Sequence, residues 1–145
     1  MLDIRFSSAL QVMLLLATEE QRVHSSAQLA EGLNTNPSLV RKLLAPLVRD
    51  GLVETTKGRG GGTRLARPAE EITLAEVYRC AVGDKPLWAC RPEGEHVCLV
   101  TAHTTEFFAD LTAEAERAVL DALGSRTLAD GVRELHRLAH RPRTE

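Results

Sequence analysis

The sequence predicts a mainly α fold built round a winged helix-turn-helix, with a two-stranded wing and a long helix near the C-terminus. Three observations predict it. Two helical stretches with capping signals meet across a tight connection, Leu33 to Asn36. The second runs at once into two alternating segments around a tip with four glycines in five residues, 58–62. The third is a hydrophobic repeat from about Val97 to Leu123, more than one small winged domain covers.

The elements follow in chain order. Residues 6 to 19 read as a helix in which Ala9, Leu10, Met13, Leu14, Leu16 and Ala17 spread over more than a narrow stripe, so burial on two sides is expected. Arg22-Val23-His24 offers a short strand edge; His24, like His136 and His140, reads as a surface residue. Ser25 with Gln28 three positions on is a capping box for a helix ending near Gly32. Ala27, Ala30 and Leu33 suit its core side, Gln28 and Glu31 its wet side. Asn36-Pro37 is an N-cap with proline at the first helical position. The helix it opens spans roughly Pro37 to Asp50, with Leu39, Val40, Leu43, Leu44 and Leu47 at buried spacing and Gly51 as its stop. Pro46 inside it removes a donor and crowds the carbonyl of Lys42, so a kink or early loosening is expected there. Leu52–Thr56 and Thr63–Ala66 form the hairpin, with the tip at Lys57–Gly62.

Thr73 with Glu76 caps a helix from Leu74 to Val82, ended by Gly83. Residues 83–96 form a loop with two prolines and a cysteine, Cys90, and Cys98 lies just beyond it. The long helix follows, with Val100, Phe107, Phe108, Leu111, Ala115, Val119 and Leu123 recurring every three or four positions. Thr127 caps a last helix whose Leu128, Val132, Leu135 and Leu138 share a face. This divides the chain into a winged domain at 1–82, a sensor-type loop at 83–96 and a dimerisation arm with the C-terminal helix at 97–145.

Charge is concentrated where the fold class puts a DNA surface. Residues 35–67 hold seven Lys/Arg against Asp50 and Glu54, a surplus of about five in a chain of net charge −2, so the remainder is acidic. Ser38, Arg41 and Lys42 sit near the N-terminus of the second motif helix, on its solvated side, where recognition helices present their readers. Lys57, Arg59, Gly60 and Arg64 form the wing's contribution. Ser25, Ser26 and Gln28 on the first motif helix, with Asn36, complete the candidate DNA-binding set. The expected partners are double-stranded DNA and a second copy of the chain.

Other classes find less support. No acid/base pair, Ser/His/Asp set or phosphate loop stands out, and Gly60-Gly61-Gly62 lacks the Lys-Ser/Thr of a P-loop, so no enzyme is expected. With aromatics at 3%, a base-stacking platform for single strands is disfavoured. A winged module that binds protein instead of DNA is the alternative, and the basic surplus speaks against it. The start, Met1 to Arg5, lacks a basic n-region, and the apolar run Val12 to Ala17 is too short to span a bilayer. A cytoplasmic protein with reduced thiols is therefore expected.

Leu43-Leu44 and Asp50-Gly51-Leu52-Val53 leading into Gly58-Arg59-Gly60-Gly61, then Leu65-Ala66-Arg67-Pro68, Ile72-Thr73-Leu74 and Thr127-Leu128-Ala129-Asp130, resemble one family over nearly the whole chain. This is the Rrf-type (IscR/NsrR/CymR-like) winged-helix regulators, which include iron–sulfur and nitric-oxide sensors as well as cluster-free, thiol-based repressors. The resemblance implies a homodimer joined through the long helix and a repressor that binds palindromic promoter sites. Cluster-binding members carry three cysteines in the loop before the long helix. This chain has Cys90 and Cys98 with seven residues between, and Cys80 in the Leu74–Val82 helix where a small apolar residue is expected. His96 and His103 are near. A thiol switch at Cys90 and Cys98, an iron–sulfur cluster and inert thiols stay open, with no cofactor as the first expectation.

Overall fold

A computed structural model describes residues 3–90 and 98–142. Six α-helices and a hairpin follow in order: α1 Arg5–Thr18, α2 Ser26–Gly32, α3 Pro37–Arg49, β1 Val53–Thr56, β2 Gly62–Leu65, a 3₁₀ turn Ala69–Glu71, α4 Leu74–Val82, α5 Leu99–Gly124 and α6 Leu128–Ala139. The strands pair antiparallel with Val53 opposite Leu65 and Thr56 opposite Gly62. His24 adds one bridge to Thr63, through N–H to carbonyl bonds of 2.9 and 2.7 Å, so the expected strand edge is a single rung at the wing root.

Local chemistry starts and stops these elements. Ser25, Thr73 and Thr127 each accept from the backbone three residues on, and Gln28, Glu76 and Asp130 return the bond, three full capping boxes. Asn36 Oδ1 accepts from the Leu39 N–H at 3.0 Å. At the far end of α3, Gly51 takes φ 73° and the N–H groups of Gly51 and Leu52 reach back to the carbonyls of Val48 and Leu47. That paired closure satisfies carbonyls the helix end leaves open, and the left-handed residue it needs is glycine. Pro46 does not loosen α3, which runs unbroken to Arg49. Proline costs the helix one donor there, and the closure one turn later holds the end.

One core joins the winged part to the C-terminal helix. Val12, Met13 and Leu16 of α1 meet Leu29, Val40, Leu47, Val53, Ile72, Val77 and Leu128, all fully buried. The N-termini of α4 and α6 are tied by a bridge between their capping threonines, Thr73 and Thr127, with Leu74 N–H on the Arg126 carbonyl and Leu128 N–H on that of Ile72, both 2.9 Å. Two expected core residues are not in it. Ala27 is exposed and Leu29 is buried in its place; Leu39 is 42% exposed. In a helix as short as α2, two faces fit the apolar spacing, and only its packing on α3 and α1 selects one. Contrary to expectation, His24 is buried, because its bridge to Thr63 brings it under the wing; its Nδ1 has no hydrogen-bond partner and its Nε2 lies 3.7 Å from Glu19.

α5 differs from every other helix. None of its 26 residues is buried, and Leu99, Val100, Phe107 and Leu111 are 82, 69, 64 and 41% exposed. Its C-terminal half packs on α4, where Gly124 lies beside Ala75. No helix among the described residues is long and apolar enough to cross a membrane.

Candidate DNA-binding surface

The basic segment separates into paired and unpaired cations once it is folded. Arg64 lies opposite Glu54 in the hairpin register and bonds it at 2.5 Å. Arg49 bonds Asp50 at 3.2 Å, and Arg67 bonds Glu76 at 2.8 Å. Arg41, Lys42, Lys57 and Arg59 have no ion pair with any described residue, and all four are exposed. Two stand on the N-terminal half of α3 and two at the wing tip. Their charges are the part of the local surplus that no neighbouring carboxylate neutralises.

The structure sorts the remaining candidates. Ser38 is exposed one residue past Pro37, in the first turn of α3. Ser25 and Gln28 are joined to each other in the cap of α2, through Gln28 N–H on Ser25 Oγ at 3.1 Å and Ser25 N–H on Gln28 Oε1 at 2.8 Å. Asn36 is likewise engaged as the cap of α3. Ser26 is half-buried at the start of α2.

The wing tip is shaped by glycine. Gly58 and Gly60 have φ of 93° and 77°, a region that side chains disfavour. A Cβ on Gly61 would stand 2.2 Å from the Thr56 carbonyl oxygen, and one on Gly62 would stand 2.4 Å from that of His24. The glycines therefore close the hairpin on itself and on the His24 rung, and present Lys57 and Arg59 at its end.

The cysteines have separate environments. Cys80 is buried on α4; burial first, then its hydrogen bond to Asp50, pushes its thiol up to about 12. Cys98 is exposed at the N-cap of α5, where its N–H donates to Thr101 Oγ1 at 2.8 Å. The Thr101 hydroxyl lies 3.5 Å from Cys98 Sγ, and with the backbone N–H groups of Thr101 and Val100 it holds the thiol below its ordinary value. Thr101 was not singled out from the sequence, although an N-cap followed three residues later by a hydroxyl is the signal that finds it. Cys90 is exposed. Arg91, the cation next to Cys90 in sequence, and His96 lie outside the described residues. Among the described residues no three His, Cys, Asp or Glu side chains converge as metal donors. Cys80, as a buried protonated thiol, is a poor donor.

The chain matches the family model described as "Rrf2: Iron-dependent Transcriptional regulator" over residues 2–134. It is 34% identical over 90 residues to Protein aau3 of Rhizobium meliloti, covering 62% of this chain and 58% of that protein. It is 27% identical over 135 residues to the putative HTH-type transcriptional regulator YwnA of Bacillus subtilis, covering 93% of this chain and 99% of that one. A solved putative transcriptional regulator from Lactobacillus plantarum superposes with a TM-score of 0.77 at 25% identity, over 92% of this chain and 90% of the other. The winged-helix fold, the placement of the basic residues and these matches agree: the chain belongs to the Rrf2 family of transcriptional regulators.

Proposed function

We propose that this regulator is a homodimeric repressor of palindromic promoter sites, with α3 in the major groove and the wing on the adjacent backbone or minor groove. The observation that carries the reading is the distribution of ion pairs. The cations left unpaired in residues 35–67 are two on the N-terminal half of α3 and two at the wing tip, the two places a winged helix presents to a duplex. Arg64, paired to Glu54, acts in the wing's own stability.

Salt dependence tests this. Phosphate contacts release counterions, so log K falls with log salt in proportion to their number. Arg59→Ala is expected to weaken random and specific duplexes alike and to reduce the slope by about one. Arg64→Ala is expected to change the slope much less. If the wild type shows no salt-dependent shift on any duplex, the surface serves a protein partner instead.

A second reading concerns the signal, and the environment of Cys98 favours it. A thiol held toward its ionised form at the head of the arm helix suits oxidation by peroxide, to a sulfenic acid with release of water. Cys90 then displaces a second water from that sulfur and closes a disulfide. Alkylation at neutral pH followed by mass spectrometry is expected to label Cys98 in the native protein and to leave Cys80 unlabelled until denaturant is added. Equal labelling of the two would contradict the assignment. Loss of operator binding under peroxide that Cys90→Ser and Cys98→Ser both prevent would tie these thiols to regulation; a response unaltered by either would remove them.

A further inference from the structure

Between α4 and α5 lies a cleft of about 390 Å³ to which neither α3 nor the wing contributes. Its volume is at the small end of the range for small-molecule sites. Arg79 projects from the α4 side and Glu116 from α5, with Asp84 on the turn after Gly83. None of the three side chains has an ion pair with a described residue. Opposite charges thus line one cleft without meeting each other. The fourth charge, Lys85, is occupied by Asp3 at 3.5 Å, and Asp3 is itself held by Arg5, so that lip of the cleft is pinned. Tyr78 and Leu120 supply apolar wall, and Tyr78 is fixed by edge-to-face packing on Phe6 with ring centroids 5.2 Å apart.

We propose that this cleft binds a free α-amino acid. The Arg79 guanidinium fork matches a carboxylate, Glu116 from α5 and Asp84 from the turn match an ammonium, and Tyr78 and Leu120 offer a wall to a short apolar side chain. A simple anion would leave Asp84 and Glu116 facing it with like charge, and a diamine would leave Arg79 unmatched. A ligand here touches both α4, which packs on α1 and α3, and α5. Its effect on operator affinity rests on the function proposed above, whereas its binding does not.

Calorimetry on the full chain without DNA separates the two. Each common L-amino acid is titrated singly, with its N-acetyl and amide forms, acetate and putrescine as controls. At least one amino acid is expected to bind, with its N-acetyl and amide forms about tenfold weaker or worse. Arg79→Gln at an exposed position and Glu116→Gln at a half-buried one are expected to weaken it to a similar degree, and Arg79→Lys less. Absence of binding at millimolar concentration, equal binding of the blocked forms, preference for acetate or putrescine, or full affinity in both variants would each overturn the proposal.

Discussion

Leu111→Asp is expected to give a monomer that no longer holds an operator tightly. Leu111 stands midway along a helix in which no residue is buried by its own chain, with Phe107 exposed one turn before it. Exposed apolar area of this extent on a single helix marks an interaction surface. A second copy is the occupant proposed here, because a two-fold pair of winged domains matches a palindromic site. A carboxylate at the centre of that face is either buried without a partner or forces the copies apart, and separation is the less costly outcome. Each half then keeps half of the base and phosphate contacts, and affinity is expected to fall toward the non-specific level, by about a thousandfold or more. Sedimentation at micromolar concentration and an operator titration check both parts. A dimer of wild-type affinity would show that α5 is not the joining element.

Arg41→Ala is expected to cost about 1–3 kcal/mol on the preferred site and to relax the choice at one base pair in each half-site. Arg41 lies in the second turn of α3 with no ion pair to any described residue. A guanidinium in that position is available for the O6/N7 edge of a guanine. Arg49, at the other end of the same helix, is the internal control: it is bonded to Asp50, and Arg49→Ala is expected to change affinity little. Sites selected from a random duplex pool with wild type and Arg41→Ala would reveal the relaxed position. If both select the same consensus with equal affinity, α3 does not read the sequence in this way.

The two predictions draw on different sources of information. That α3 begins at Pro37 and α5 is an unusually long apolar repeat is written in the order of residues. The same holds for the caps at Ser25, Asn36, Thr73 and Thr127, because a cap is a bond between residues two or three apart and needs no other part of the chain. The glycines of the wing are legible for a similar reason: a hairpin tip sets its own backbone. Charge density in residues 35–67 is likewise a property of composition.

What the chain order did not decide is which of several locally equivalent choices the fold makes. Ala27 and Leu29 both suit the inner face of a helix as short as α2, and packing against α3 and α1 buried Leu29. Ser25, Gln28 and Asn36 have the chemistry to meet DNA, but each satisfies a helix end first. Seven cations look alike in sequence; cross-strand register joins Arg64 to Glu54, and the return of the chain into α4 joins Arg67 to Glu76. His24 reads as surface until Thr63 pairs with it. Sequence determined the local bonds, which are short-ranged and strongest in choice of residue. Tertiary structure decided burial and charge pairing, since these depend on what a distant segment places within a few ångströms.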